Sequence, residues 1–152
     1  VENYIEALKS SFILYKAGRY DIKGKQHLKS LEKYYIVDIG LRKLLINKKH
    51  SDIGHILENI VYLELIRRGY TVYIGKIGDL EIDFIAERNN EREYYQVSAT
   101  ILDENTFKRE ITPLKKVKDN FQKFIISMDE MNLSEDGINH LNILDFLQNR
   151  NN

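Results

Sequence analysis

The sequence predicts an α+β domain in which helices pack against a mixed sheet, and three observations carry that prediction. Residues 53–68 repeat apolar side chains at helical spacing, with Ile53, Leu57, Ile60, Val61 and Leu65 on one stripe. Three short strand-like runs follow, at 70–74, 80–87 and 94–100. A second helical pattern over 106–120 and a fourth strand-like run, Lys123-Phe124-Ile125-Ile126-Ser127, complete the order α-β-β-β-α-β.

Ahead of this order, Tyr4, Ile5, Leu8 and Phe12 recur at helical spacing and predict a short amphipathic helix within residues 1–12. Phe12-Ile13-Leu14-Tyr15 and Lys33-Tyr34-Tyr35-Ile36-Val37-Asp38 read as strands, joined by the polar, glycine-punctuated stretch Arg19 to Gln26. A helix followed by a hairpin with a basic tip resembles the back half of a winged helix. In that setting Arg19, Lys23 and Lys25 would lie along phosphates; the competing reading is a solvated hairpin tip. Residues 38–47 predict a turn and a short helix, and the loop Asn47 to Asp52 marks the expected boundary between a segment 1–47 and a domain 48–152. In the 53–68 helix, Arg67 and Arg68 occupy the last turn, where they complement the macrodipole, and Gly69 is a natural C-terminal stop.

Composition bounds the function. The chain has 152 residues, 43% hydrophobic and 30% charged, with one proline, which implies one compact domain or a domain with an appended element and excludes disorder. It has no cysteine, so disulfides, thiol catalysis and cysteine zinc sites are excluded. No apolar run approaches the ~20 residues needed to span a bilayer. The first residues lack the basic start and apolar stretch of a signal peptide, so a soluble cytoplasmic domain is expected. The chain begins with Val1, which fits a processed chain or a fragment of a longer one. Net charge is zero, but residues 1–50 hold 11 basic and 5 acidic groups while residues 51–104 hold 5 and 11. Such asymmetry hides a local polyanion-binding surface or simply provides two faces that attract each other.

The polar positions of the strands carry the site prediction. Period 2 puts Ile82, Phe84 and Ala86 on one face and Glu81, Asp83 and Ile85 on the other; Tyr95, Val97 and Ala99 share a face opposite Gln96, Ser98 and Thr100. Asn89-Asn90 suits a two-residue hairpin turn, since asparagine tolerates positive φ. With that turn, Asp83 stands opposite Gln96 and Glu81 opposite Ser98, their Cβ atoms ~4.5–5.5 Å apart; a longer loop would shift the register. A carboxylate and a carboxamide facing each other, with Glu58 on the preceding helix, form an oxygen donor set suited to Mg²⁺ or Mn²⁺. Such an ion activates water and stabilises charge on a phosphoryl oxygen.

The run Gly54-His55-Ile56-Leu57-Glu58-Asn59-Ile60-Val61-Tyr62, then Gly75, Glu81-Ile82-Asp83-Phe84-Ile85 and Tyr95-Gln96-Val97-Ser98, resembles a family of bacterial and archaeal predicted ATPases. In that family an AAA+-type module is followed by a C-terminal domain of unknown function. Lys33 to Leu41 and Phe121-Gln122-Lys123-Phe124-Ile125 fit the same pattern. The resemblance implies a restriction-endonuclease-like core of the PD-(D/E)XK superfamily. It places Glu58 as the helix carboxylate, Asp83 as the metal-binding aspartate and Gln96 at the (D/E) position, with Mg²⁺ or Mn²⁺ as cofactor. Ser98 stands where that superfamily has lysine, so the resemblance implies a degenerate site unless Lys76, Lys108 or Lys123 supplies the ammonium. No Gly-x-x-x-x-Gly-Lys-Ser/Thr sequence is present, so nucleotide binding belongs to the family's N-terminal module, the expected covalent partner.

His55 and Glu58, at i and i+3, lack a third nitrogen or sulfur ligand and read as helix decoration. Lys108, Arg109, Lys115 and Lys116, with Lys118 and Lys123, form a second basic cluster that meets a phosphate backbone or serves as a solvated helix face. Two functions follow: a nucleic-acid- or partner-binding regulatory module with a silent centre, or a metal-dependent phosphodiesterase acting on DNA or RNA. Oligomerisation through the sheet is a third.

Overall fold

The computed structural model describes residues 2–46 and 53–148. Its elements run α1 (Glu2–Ser10), β1 (Leu14–Asp21), β2 (Gln26–Ile36), α2 (Ile39–Ile46), α3 (Ile53–Arg67), β3 (Thr71–Ile77), β4 (Leu80–Arg88), β5 (Glu91–Val97), α4 (Glu104–Lys116), β6 (Gln122–Ser127), β7 (Ile138–Asn142) and α5 (Ile143–Leu147). The molecule is α+β, and the seven strands form one mixed sheet in the order β2-β1-β3-β4-β5-β6-β7. The pairs β1–β2, β3–β4 and β4–β5 are antiparallel, while β1–β3, β5–β6 and β6–β7 are parallel.

The order α-β-β-β-α-β is present as α3 to β6. Helix α3 ends as its sequence predicts: Gly69, at φ 82°, closes a turn in which its N–H meets Ile66 O and the Tyr70 N–H meets Leu65 O. Leu57, Val61, Tyr62 and Leu65 of α3, with Ile143 and Phe146 of α5, bury one face of the sheet over Val72, Ile74, Phe84, Ala86, Tyr95 and Ile126. Ile111, Leu114 and Val117 cover the opposite face over Ile77, Ile82, Ile85, Tyr94 and Ile125. Asp103 caps α4 by accepting from Thr106 N–H at 2.9 Å. Full burial of Phe84 alone removes enough apolar surface that Phe84→Ala would cost about 3–5 kcal/mol.

Two expectations change. The β1–β2 hairpin is not the wing of a separate segment: it is longer than the sequence suggests and joins the main sheet, Arg19, Tyr20 and Asp21 pairing in parallel with Ile74, Gly75 and Lys76. The boundary expected at residue 47 lies outside the described residues. Strict alternation also fails along β4. The register against β3 shifts between Tyr73 and Gly75, so Ile82 joins Ile85 on the α4 face while Phe84 and Ala86 lie under α3. Gly75 permits this crossing, because a Cβ there would stand 3.1 Å from both Ile82 Cβ and Ile85 Cγ1. The extra residue in β4 falls at Asp83 and Phe84, and it sets where Asp83 points.

The hairpin register is the one the Asn89-Asn90 turn predicts. Both asparagines have positive φ, 53° and 65°, and Arg88, Ala86 and Phe84 pair with Glu91, Glu93 and Tyr95. β7 and α5 have no counterpart among the sequence-predicted elements, because Asn139, His140 and Asn142 break any apolar alternation there.

Candidate functional site

Glu58, Asp83, Gln96 and Ser98 all line one cleft of about 530 Å³, together with Glu81, Arg109 and Glu110. The β4–β5 ladder has ended at this point, and side chains continue it. Asp83 Oδ2 accepts from the Val97 N–H at 2.8 Å, and Gln96 Oε1 accepts from the Asp83 N–H at 3.4 Å. Gln96 thus stands beside Asp83 as predicted. Its amide is already engaged, however, because Nε2 donates to Glu110 Oε2 at 2.8 Å. Glu81 does not meet Ser98. It turns instead to the hairpin, where it pairs with Arg19 and lies 2.9 Å from Lys33 Nζ.

Lys33 is the residue that local reasoning missed. On β2 it shares a face with Tyr35, and both reach α3: Lys33 Nζ is 3.1 Å from Glu58 Oε1, and the Tyr35 hydroxyl donates to the same oxygen at 2.7 Å. His55 Nδ1 lies 3.4 Å from the other carboxylate oxygen. None of the lysines nominated to replace the one missing at position 98 is in the cleft. Lys76 is exposed on β3, Lys108 pairs with Glu104 at 2.5 Å, and Lys123 bonds Asp119 O at 2.9 Å. A signal for Lys33 exists only in hindsight of topology, as a lysine two residues before a tyrosine in a strand whose partner helix lies some twenty residues further on. Glu110, on the buried side of α4, was missed for the same reason.

The electrostatics follow from these contacts. Burial, and then the charge of Glu58, push the Asp83 carboxyl up to about 8. Burial opposes the charged form of Lys33, but Glu58 and Glu81 outweigh it and hold its pKa above the ordinary value. Burial likewise opposes ionised Glu81, while Arg19 and Lys33 outweigh that and keep its pKa low. Burial and the Glu58 charge push the Tyr35 phenol far upward, so it donates throughout the physiological range. Arg109 Nη2 donates to Glu110 Oε1 at 2.7 Å. At neutral pH Asp83 keeps its proton, and the remaining carboxylates Glu58, Glu81 and Glu110 each have a cation: Lys33, Arg19 and Arg109. Among the described residues these charges balance.

Among the described residues, no group of three or more His, Cys, Asp or Glu side chains is arranged to hold a metal ion. In this arrangement Glu58 and Glu81 face Lys33, and the Gln96 oxygen faces the Asp83 N–H. The Ser98 hydroxyl donates to Thr100 O at 3.0 Å.

The basic residues expected to meet nucleic acid do not converge on the cleft. Arg19 and Arg109 serve the carboxylates above. Lys115 pairs with Glu135 and Asp136, Lys23 and Lys25 are exposed at the β1–β2 turn, and Lys116 is exposed at the end of α4.

A second polar cluster adjoins the cleft through the segment 98–101. Asp129 accepts from the Ile101 N–H at 2.7 Å and from the hydroxyls of Thr100 and Ser127, each at 2.8 Å. His140 Nε2 lies 2.8 Å from Ser127 Oγ, and its Nδ1 faces the Leu133 N–H at 3.4 Å. These residue types recur in hydrolases, but Ser127 is fully buried and Asp129 bonds the serine. The cluster ties β6, β7 and the β5–α4 connection together.

Among described residues no helix is long and apolar enough to cross a membrane. No family model matches the chain, and no solved structure matches it. It is similar to an uncharacterised protein of Haemophilus influenzae, 44% identical over 148 residues, covering 97% of this chain and 36% of that protein. It is also similar to an uncharacterised protein of Methanocaldococcus jannaschii, 30% identical over 138 residues, covering 88% of this chain and 29% of that protein. The chain spans about a third of the length of the curated relatives it matches.

Proposed function

We propose that this chain is a restriction-endonuclease-like module of a longer polypeptide, in which the acidic centre no longer performs metal chemistry and the domain works as a regulatory, partner-binding unit. The order α3 to β6, with Glu58, Asp83 and Gln96 meeting in one cleft, supports the nuclease-like ancestry. The single observation that carries the functional reading is Lys33, whose ammonium lies 3.1 Å from Glu58 and 2.9 Å from Glu81, where it supplies the positive charge such a centre otherwise takes from a metal. An internally neutral cleft gives a phosphate backbone no attraction, so a protein partner suits it better than DNA or RNA. The length of the relatives leaves room for a further module, and an AAA+-type ATPase is the one the sequence resemblance suggests.

The competing reading, a Mg²⁺- or Mn²⁺-dependent phosphodiesterase, is favoured by the same convergence of Glu58, Asp83 and Gln96 on an open cleft. Incubation with labelled single- and double-stranded DNA and RNA, with either metal, separates the two. Our reading expects no cleavage that disappears in Asp83→Ala; cleavage that does disappear establishes the phosphodiesterase.

A further inference from the structure

The connection between β6 and β7 folds back over the outer edge of the sheet, and one imidazole fastens it there. β7 is an edge strand, with β6 on one side. Its other side is taken by the connection itself. The Ile138 N–H donates to Glu135 O at 2.9 Å, the Glu135 N–H donates back to Ile138 O at 3.1 Å, and the His140 N–H donates to Ser134 Oγ at 2.9 Å. Uncovered, such an edge offers its backbone groups to another chain. The His140 ring grips the same segment, its Nδ1 standing 3.4 Å from the Leu133 nitrogen.

Hydrogen-bond polarity fixes the tautomer of that ring. Asp129 is held ionised and can only accept, so the one proton of the Ser127 hydroxyl goes to Asp129 Oδ2, 2.8 Å away. The Ser127 oxygen then accepts twice, from the Asp129 N–H at 3.0 Å and from His140 Nε2 at 2.8 Å. Nε2 therefore carries the proton, and Nδ1 is bare, as the Leu133 N–H requires. A second proton makes Nδ1 a donor facing a donor. The Met131 carbonyl, which also faces the ring, accepts from the charged form.

The charged surroundings are few. Asp129 favours the imidazolium, but burial opposes it and prevails. Glu130 and Asp145 line the pocket beside the ring. Lys115 of α4 is occupied by Glu135 and Asp136, and Lys123 of β6 by Asp119.

We propose that His140 is a pH-operated clasp on the sheet edge. Neutral, it pins the segment 131–135 over β7; protonated, it releases Leu133 and uncovers the strand's outer backbone groups. The cleft takes no part, so the clasp stands or falls separately from the proposed function.

Nuclear magnetic resonance on the wild-type chain and His140→Gln tests it. Imidazole nitrogen shifts at pH 7.5 should report the Nε2–H tautomer and, on acidification, the ring's midpoint. From pH 7.5 to about one unit below that midpoint, protection of the Ile138 and His140 amides, corrected for intrinsic exchange, should fall roughly tenfold or more, with β3 to β5 unchanged. In His140→Gln, whose side chain does not titrate, protection of the two amides should be equal at both pH values. An Nδ1–H tautomer at pH 7.5, or wild-type protection indifferent to the ring's titration, overturns the proposal. So does an equal acid-side loss in His140→Gln.

Discussion

The segment from Val97 to Ile101 has a polar cluster on either side, and the two are built on opposite principles. At its start, Val97 N–H meets Asp83 in a group of four carboxyls compensated by three cations and one retained proton. At its end, Ile101 N–H and Thr100 meet Asp129, a single carboxylate with donors on both oxygens. Burial opposes ionised Asp129, but the Ile101 N–H and the Thr100 and Ser127 hydroxyls outweigh it and hold its pKa below the usual carboxylate value. Crowded carboxylates in a cleft mark a candidate functional site, whereas a carboxylate saturated by neutral donors is a staple. The difference shows which cluster the fold needs and which it merely tolerates.

Between the two clusters, the larger expected effect comes from breaking the staple. Asp129→Ala strands the Ile101 N–H and takes one partner from each of two hydroxyls, and should cost about 2–3 kcal/mol in urea unfolding. Removing the ionisable group with the raised pKa from the other cluster should do the reverse. Asp83→Asn keeps an oxygen for the Val97 N–H, and we expect a gain of about 1–2 kcal/mol at pH 8. The sign follows from linkage: with a folded pKa of about 8 and an unfolded value near 4, native Asp83 binds more protons between those limits, so wild-type stability falls as pH rises through that window. The variant should lose that slope, read from thermal midpoints at successive pH values.

His140 should show the opposite slope, and a smaller one. Burial holds its pKa below the usual 6.5, so its contribution is complete above that value and is lost as pH falls through the lower folded pKa. His140→Gln should remove the acid-side loss below pH 6.5, measured by urea titration at pH 7 and pH 5. Ser98→Ala, which deletes one hydroxyl contact with Thr100 O, should change stability by about 0.5–1 kcal/mol, the least of the series.

The contrast also separates what was legible in the sequence from what was not. Asp83 beside Gln96 could be read because a two-residue turn fixes register over a short span, and Glu58 because an amphipathic helix declares its faces. Lys33 and Tyr35 could not, because the hairpin enters the sheet through parallel pairing of β1 with β3, more than fifty residues away along the chain. The shift opposite Gly75 was equally hidden: strict alternation put Ile82 with Phe84, and only the packing of Ile82 and Ile85 on a bare glycine reveals the change of face. Asp129 and His140 escaped notice because their partners are mostly backbone amides and hydroxyls, which leave no pattern in side-chain chemistry.

The most direct measurement of the central claim is calorimetric titration of the wild-type chain and Asp83→Ala with Mn²⁺. If Lys33 and the retained proton already neutralise the cleft, neither protein gives saturable heat. Stoichiometric binding to wild type that vanishes in Asp83→Ala would contradict the account and restore a metal centre to this fold.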